Sequence, residues 1–320
     1  MRCAICENLQ YGIQGPCAAY GITVTYQAKF GGGWTQRKLE VLKKYLQAYT
    51  TIFKRNPRAR SYSISYVDAF AGTGTLRRPA LGGLLKFLPE LESNEEEFRK
   101  GSVLRALEVE PHFDGYVFIE NDATKCKELE AISAEFSDRR NVRILNEDAN
   151  TALLKWCKKL DASRERAVVF LDPFGASVEW EVIAALGQTQ AVDLWVLFPY
   201  FAINRMLPRR RKPPKAWADR LTSIFGTDEW ESSFYTTTAF KSLLDSSRVE
   251  SVRRSADHRA ILDFFVTRLR QEFVGVSRQF PLHNSKGSLL FILFFAAGNK
   301  HGAKVGLKIA NDIIGKSIDS

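Results

Sequence analysis

Long apolar runs are missing from this 320-residue sequence. The best candidate, SLLFILFFAAG at Ser288 to Gly298, is too short to span a bilayer and indicates a buried strand instead. The opening MRCAICENLQ also has no apolar run, so we expect no signal peptide. These absences predict a cytoplasmic protein without a membrane-spanning segment.

Cysteine and histidine are scarce, with five and four residues respectively. An odd number of cysteines in a chain of this length argues against a disulfide scaffold and favours a reducing compartment. Cys3 and Cys6 have the spacing of half a zinc site, but no histidine or paired cysteine follows at a suitable distance. We therefore predict no metal site, and we interpret residues 1–33, which include Cys17, as an irregular N-terminal arm.

Acidic residues are outnumbered, because 46 lysines and arginines against 36 acids give a formal charge of +10 at pH 7. A surplus of this size predicts an anionic partner, with nucleic acid as the leading class. A solvated basic surface that binds no polyanion is the alternative.

Strand and helix patterns alternate strictly from residue 61 to residue 200. Such alternation predicts an α/β fold with a doubly wound, mostly parallel sheet. A helix at residues 35–55 precedes it, with an apolar face that includes Leu42 and Leu46, lysines opposite, and Thr35 as N-cap. We predict one domain at residues 34–320, with a basic and helical elaboration at residues 201–280.

Acidic side chains follow four of the predicted strands, at the point where each strand ends. Because ligands of doubly wound sheets bind at the carboxyl ends of the strands, we expect these acids to rim one crevice. The four residues are Asp68, Glu120, Asp148 and Asp172.

The glycine loop in SYVDAFAGTGTL, Ser65 to Leu76, lacks the marks of two common nucleotide sites. Arg77 occupies the place of the third glycine of a dinucleotide loop, and no Gly-Lys-Ser/Thr follows as in a P-loop. A nucleotide-binding oxidoreductase is thereby disfavoured. A third interpretation is that the loop resembles the S-adenosylmethionine loop of Rossmann-like class I methyltransferases.

In that interpretation each strand-end acid contacts a different part of the cofactor. Asp68 and the glycine loop face its amino-acid part, Glu120 takes the ribose hydroxyls, and Asp148 accepts from the adenine amino group. The predicted cofactor-binding residues are Asp68, Phe70, Ala71, Gly72, Gly74, Glu120 and Asp148.

The segment at residues 77–100 is too long for an ordinary strand-to-helix turn. Glu120 lies 18 or 19 residues after Gly101 and Ser102, which is close to the ordinary spacing from the start of a helix to the next strand end. We therefore predict an insertion at residues 77–100, with Ser102 as the N-cap of the helix that follows. The insertion is either a lid over the crevice or an ordinary surface excursion.

The sequence LDPFG, which ends the fourth strand, predicts the chemistry. An exocyclic amine conjugated to a ring is a poor nucleophile, and an acceptor at Asp172 or the carbonyl of Pro173 can localise its lone pair. Phe174 can stack on a base taken out of its helix. Amino-group methyltransferases resemble this pattern with Asp/Asn-Pro-Pro-aromatic, and tRNA guanine-N2 methyltransferases resemble it locally. The predicted catalytic residues are Asp172, Pro173 and Phe174.

A basic run followed by two prolines comes after the fifth strand, so it is not a helix interior. Such a loop on the rim of the crevice suits phosphate contacts, although a solvated insertion is the alternative. The predicted substrate-binding residues are Arg209, Arg210, Arg211 and Lys212. Residues 215–245 are predicted helical, with a turn at IFGTDEW.

Several blocks together resemble the three-Cys-motif partner proteins (TcmP), over residues 34 to 315. They include TQRKLEVLKKYLQAY, YVDAFAGTGTL, FLDPFG, DLWVLFPYFAINR, LTSIFGTDEW and NSKGSLLFILFFAAGN. The resemblance implies a methyltransferase-like protein that acts with a cysteine-motif partner resembling radical enzymes. Since that motif belongs to the partner, it does not explain Cys3, Cys6 and Cys17.

Two functions from different classes follow. The first is S-adenosylmethionine-dependent N-methylation of an exocyclic amine on a nucleic-acid base. The second is a non-catalytic, methyltransferase-like module that binds the cysteine-motif partner and has lost the transfer step. Replacing Asp172 by alanine discriminates them, because only the enzyme depends on that carboxylate for methyl transfer.

Overall fold

A computed structural model describes residues 33–71, 101–136, 140–173, 177–241 and 248–318. These residues lie in one compact unit, Gly31–Ser320. The predicted arm, except Gly33, and the predicted insertion at residues 77–100 are outside the described residues. The same is true of three predicted site residues, Gly72, Gly74 and Phe174.

The described elements alternate as the sequence predicts up to the fifth strand. In chain order they are α1 (Gly33–Arg55), β1 (Ser63–Asp68), α2 (residues 101–107), β2 (Gly115–Glu120), α3 (Ala123–Ala134), β3 (Val142–Asn146), α4 (Ala149–Lys159), β4 (Glu165–Leu171), α5 (Trp180–Gln188), β5 (Val192–Phe198), α6 (Tyr200–Met206), α7 (Lys215–Phe225), α8 (Glu229–Phe234), β6 (Tyr235–Lys241), β7 (Arg248–Arg254), α9 (His258–Glu272), β8 (Gly275–Val276), β9 (Phe280–His283), β10 (Leu289–Ala297) and α10 (Ala303–Ile318).

Among the described residues the central sheet has eight strands in the order β3–β2–β1–β4–β5–β10–β8, and β9 also pairs with β10. Neighbouring strands from β3 to β5 run parallel, whereas β10 runs antiparallel to β5. The order 3-2-1-4-5 is that of a doubly wound sheet, whose direction of growth reverses between β1 and β4. The predicted α/β, Rossmann-like fold with a mostly parallel sheet is therefore confirmed.

Helices cover both faces of the sheet, which explains the nearly continuous apolar runs of its central strands. On one face, here called the α1 face, the core includes Leu42, Val103 and Ile314 from α1, α2 and α10. On the opposite face the core includes Leu153 of α4 and Phe265 of α9. None of the described helices is long and apolar enough to cross a membrane.

The helix at the start of the domain departs from the prediction in two respects. It begins at Gly33, so Thr35 lies within the helix and the prediction that Thr35 is its N-cap is wrong. Most of α1 packs as expected, but the interpretation that its lysines lie opposite the apolar face is wrong for Lys38. This side chain is 0% exposed, and its Nζ lies 5.1 Å from the ring centroid of Trp34 and 6.0 Å from that of Phe291. Two stacked rings therefore cover the lysine.

The predicted helical stretch at residues 215–245 ends earlier than expected. Gly226, at φ +69°, closes α7 and confirms the predicted turn, but the chain becomes strand β6 from Tyr235. The run of three threonines after Tyr235 has β-branched side chains that favour the extended conformation. Strands β6 and β7 pair antiparallel in a separate two-stranded sheet.

Candidate functional site

Three carboxylates lie at the carboxyl ends of the adjacent strands β2, β1 and β4. Asp68 ends β1 and aligns with Phe118 of β2 and Phe170 of β4. Glu120 and Asp172 each lie two residues beyond those phenylalanines. Because side-chain direction repeats every second residue along a strand, this register places Asp68, Glu120 and Asp172 towards the α1 face. We call these three residues the carboxylate cluster.

Asp68 is 1% exposed and is held by hydrogen bonds on both oxygens. Its Oδ2 accepts from the Ser102 hydroxyl at 2.8 Å and from the Tyr66 hydroxyl at 3.4 Å, while Oδ1 accepts from the Phe70 N–H at 3.3 Å. Burial, followed by the neighbouring Asp68, holds the pKa of Tyr66 well above its usual value, so the phenol keeps its proton and donates.

Ser102 lies inside the described helical residues of α2, with Gly101 already helical before it. The prediction that Ser102 is the N-cap is therefore wrong in this structure. Its hydroxyl instead joins α2 to the end of β1 through Asp68. The backbone just beyond Asp68 is fixed as well, because the Ala71 N–H donates to the Ile119 carbonyl at 3.1 Å.

Asp172 forms a buried ion pair with Lys38. The Lys38 Nζ lies 3.1 Å from Oδ2, and the two side chains are 0% and 3% exposed respectively. Removing two such charges from water costs several kcal/mol per ion, and ion-pair formation commonly fails to recover it. This costly arrangement at the end of a central strand indicates a functional site more than a stabilising device.

Glu120 is 5% exposed and retains an acceptor. Its Oε1 accepts from the Asp122 N–H at 2.7 Å, whereas no group within the described ranges donates to Oε2. The backbone carbonyl of Glu120 accepts from the side-chain amide of Asn146 at 3.0 Å, and this bond joins the ends of β2 and β3. The side chain can therefore hydrogen-bond a ligand without losing its own support.

Asp148 lies just beyond β3 at the same edge of the sheet, but it is exposed. It is the N-cap of α4, and its Oδ1 accepts from the Thr151 N–H at 3.1 Å and the Thr151 hydroxyl at 3.3 Å. This capping role accounts for an acid at the position. Its predicted contact with an adenine amino group stays a prediction.

Pro173 borders a small apolar cavity on the other side of the β4 end. The cavity lies beside the last residues of β5, and its lining includes Val178, Val196, Pro199 and Phe265. At about 20 Å³ this cavity has room for a water molecule and not for a ring. Phe174, the predicted stacking residue, lies outside the described residues.

The basic run Arg209–Lys212 is exposed and irregular, as predicted. Burial raises the pKa of Tyr200, and the nearby charges of Arg254 and Arg209 lower it. The run therefore lies near Tyr200, which follows the end of β5. Lys212 pairs with Glu231 at 2.5 Å. No carboxylate in the part of the chain that the structure describes pairs with Arg209, Arg210 or Arg211. Phosphate binding by the run stays a prediction.

Metal-ligating side chains do not cluster in the described segments, where no group of three histidine, cysteine or acidic residues could hold an ion. The free cysteines there are Cys126 and Cys157, and burial raises the pKa of the Cys157 thiol to about 11.

Sequence reasoning missed Lys38, Ser102 and Tyr66, which all contact the carboxylate cluster. A signal for Lys38 was present, because it shares a helical face with Trp34, Leu42 and Tyr45. A lysine within an apolar stripe of a helix indicates a buried partner. Tyr66 lies two residues before Asp68 and so on the same face of β1, but its hydroxyl contact depends on side-chain geometry.

No protein-family model matches the chain, and no curated protein does. Solved structures are similar to it at low identity. A Legionella pneumophila protein of the DUF519 family is 12% identical with a TM-score of 0.41, and the match covers 91% of this chain and 94% of that one. A methyltransferase dependent on S-adenosylmethionine, from Clostridium acetobutylicum, is 8% identical with a TM-score of 0.35, over 81% and 92%. Likenesses this weak carry no information on substrate or catalytic residues.

Proposed function

We propose that this protein is an S-adenosylmethionine-dependent methyltransferase that methylates an exocyclic amine of a nucleic-acid base. The carboxylate cluster at the switch point between β1 and β4 carries the proposal. Ligands of doubly wound sheets bind at such a point. The cluster's three strand-end carboxylates are acceptors, which suit a ligand with positive and hydroxyl groups.

The residues present fit this cofactor. Its sulfonium and ammonium groups complement the negative cluster, and Glu120 retains the Oε2 acceptor that a ribose hydroxyl needs. Asp68 is held on both oxygens directly before the glycine loop, so it positions the backbone that would approach the amino-acid part. Asp148 would accept from the adenine amino group at the same edge.

The chain's own residues would bind and orient the target amine. Asp172 accepts a hydrogen bond from the amine N–H, which directs the nitrogen lone pair towards the electrophilic methyl group that the bound cofactor supplies. Lys38 fixes the orientation of the Asp172 carboxylate and offsets its charge. Pro173 offers its carbonyl as a further acceptor. The methylated ammonium loses its proton readily, so no strong base is required.

A second function, a non-catalytic module that binds a cysteine-motif partner protein, also has an observation in its favour. Asp172 is only 2% exposed and already pairs with Lys38. A carboxylate that stays in this ion pair would be structural, and cofactor binding could persist without transfer.

Calorimetric titration with S-adenosylmethionine tests the cofactor assignment first, with NAD and ATP as further ligands. We expect micromolar binding that Asp68→Ala and Glu120→Ala weaken by about tenfold or more, because each loses a hydrogen bond to a charged group. The matched control is Asp219→Ala, which removes an exposed carboxylate of α7. Absence of binding to the folded wild-type protein would refute the proposal.

Transfer of a radiolabelled methyl group to pooled tRNA and to DNA separates the two functions. Asp172→Ala should reduce transfer by about a hundredfold or more, the loss typical for one preorganised polar group, while cofactor affinity changes little. If the wild type binds the cofactor and methylates neither pool, the non-catalytic module is the better description.

A further inference from the structure

We propose that β6 and β7, with the basic run at their base, form a docking surface for double-helical nucleic acid. This surface, the ribbon surface, consists of Tyr235–Lys241, Arg248–Arg254 and Arg209–Lys212. The inference rests on the proposed function for its biological purpose, since it names the form of the substrate. Its test does not depend on cofactor binding.

The ribbon packs against the core at Tyr235 and Val252, and the middle of β6 is open to solvent. Thr236, Thr237, Thr238 and Ala239 are consecutive and all exposed. Since successive side chains of a strand point to opposite faces, both faces of β6 are open to solvent there. A two-stranded sheet by itself is only marginally stable in water, so a partner that covers it would add to its stability.

The chemistry of this exposed surface matches phosphate oxygens. Thr236 to Thr238 provide three hydroxyl donors, a type of side chain that commonly contacts the nucleic-acid backbone. Arg253, opposite Thr236 in the register, is exposed as well. Of the carboxylates that the structure describes, none pairs with Arg253 or with the arginines of the basic run.

The basic run and the ribbon are joined into one surface. The Arg254 N–H donates to the Arg209 carbonyl at 3.0 Å, and the Tyr235 hydroxyl donates to the Pro208 carbonyl at 3.0 Å. The Arg254 guanidinium also donates to Asn204 Oδ1 at 2.9 Å. These bonds fix the arginines of the run relative to the threonines of β6.

The ribbon surface begins near the proposed active site. Helix α6 starts at Tyr200, directly after the end of β5, and its seven residues span only about 10 Å. Arg254 of the ribbon donates a hydrogen bond to Asn204 of this helix, and its charge lowers the pKa of Tyr200. A nucleic acid held on the ribbon would therefore pass close to the carboxyl edge where Asp172 lies.

The shape of the ribbon favours a duplex over a single strand. Its seven register pairs give a length of roughly 20 Å at the usual rise of a strand. A two-stranded β-ribbon fits the major groove of B-form DNA, which is about 12 Å wide. Threonines on both faces and arginines at the base can then contact the backbones that border a groove.

Fluorescence anisotropy tests the inference on the full chain. The probes are a labelled DNA duplex of about two helical turns, the RNA duplex of the same sequence, and the single strand. The wild type should bind a duplex more tightly than the single strand, with affinity falling steeply as salt rises. The two duplex probes distinguish DNA from RNA.

Paired substitutions of opposite charge test the ribbon itself. Thr236→Glu with Thr238→Glu should weaken duplex binding by about tenfold or more, and Thr236→Lys with Thr238→Lys should strengthen it. Equal weakening by both pairs would overturn the inference, since it would indicate a structural effect. Duplex binding by the glutamate variant at wild-type affinity would overturn it too, as would binding of the single strand alone or of no probe.

Two controls keep this result separate from the proposed function. Arg58→Ala with Arg60→Ala removes two exposed charges before β1, at the opposite edge of the sheet, and should leave duplex affinity unchanged. S-adenosylmethionine titration of the ribbon variants should match the wild type. The wild type could fail to bind the cofactor while the paired glutamate and lysine substitutions shift duplex affinity as expected. The ribbon inference would then hold, and the methyltransferase proposal would be refuted.

Discussion

Lys38 and Tyr45 lie seven residues apart on α1, so both side chains face the sheet, yet they form two different kinds of buried pair. Lys38 donates to Asp172 at 3.1 Å, at the carboxyl end of β4. Tyr45 donates to Asp193 at 2.8 Å, near the start of β5. One pair lies at the proposed site, and the other lies towards the amino edge of the same sheet.

The Tyr45–Asp193 pair is self-contained. The Gly298 N–H also bonds Asp193, and burial raises the pKa of this carboxyl to about 6 in spite of both hydrogen bonds. Burial likewise holds the pKa of Tyr45 well above its usual value. The carboxylate cluster, by contrast, brings three carboxylates to one edge of the sheet, and the Oε2 atom of Glu120 accepts no hydrogen bond from the described residues. The difference teaches that a buried polar pair which satisfies itself supports the fold, whereas a strand-end carboxylate with an open acceptor is suited to a ligand.

The largest expected effect comes from Lys38→Met. Removing the cation breaks a desolvated ion pair, which should lower the free energy of unfolding by about 3–5 kcal/mol. Urea denaturation measures this loss. The double variant Lys38→Met with Asp172→Asn should recover a large part of it. A loss below about 1 kcal/mol would contradict the view that the pair is desolvated.

Asp193→Asn should change the pH dependence of stability. The folded-state pKa of about 6 lies above the usual 3.8 of an aspartate, so protonated Asp193 stabilises the fold fully only below about pH 4. The wild type should lose about 3 kcal/mol from this group as pH rises from about 4 to 6. The asparagine variant should lack that loss in denaturation curves at several pH values. An unchanged pH profile would mean that Asp193 titrates normally.

Glu120→Gln tests whether the carboxylate cluster binds a ligand, because it should change cofactor affinity more than stability. Glutamine keeps an acceptor for the Asp122 N–H but lacks the negative charge, so stability should change by less than about 0.5 kcal/mol. Affinity for S-adenosylmethionine should fall by about tenfold, equivalent to 1.4 kcal/mol. Asp219→Asn is the control, since it neutralises an exposed carboxylate of α7 that lies outside the proposed site. Equal affinity of Glu120→Gln and wild type in calorimetry would place the ribose elsewhere.

Tyr45→Phe should have the smallest effect. Loss of one hydrogen bond to Asp193 should cost about 1 kcal/mol of stability. Because that bond lowers the pKa of Asp193, its removal should raise this pKa above 6. An NMR titration of the carboxyl carbon measures the shift, and cofactor affinity serves as the internal control. A lower Asp193 pKa in the variant would contradict the assigned cause.

Local patterns in the sequence predicted much of the fold. Alternating apolar runs and helical stripes identified β1 to β5 and the helices between them, because burial on one or both faces imposes a period on the sequence. The same reasoning missed the ribbon. Its threonines are polar and exposed on both faces, so no apolar alternation marks β6 as a strand. The short strands β8 and β9 were missed as well, and β8 has only two residues.

The candidate site was predicted in outline and not in its contacts. Strand ends are visible in the sequence, so Asp68, Glu120 and Asp172 could be assigned to one edge. The partner of Asp172 comes from Lys38, 134 residues earlier, and the partner of Asp68 from Ser102, 34 residues later. No local spacing rule connects residues so far apart.

The sequence by itself determined the alternation of strands and helices and the acids at the strand ends, because these depend on side-chain period and on neighbours within a few residues. Only the tertiary structure decided which acids are buried, which oxygen of Glu120 stays available, and that one lysine of α1 enters the core. Those properties depend on the packing of α1 and α2 against the sheet, which sets both the dielectric environment and the hydrogen-bond partners of each carboxylate.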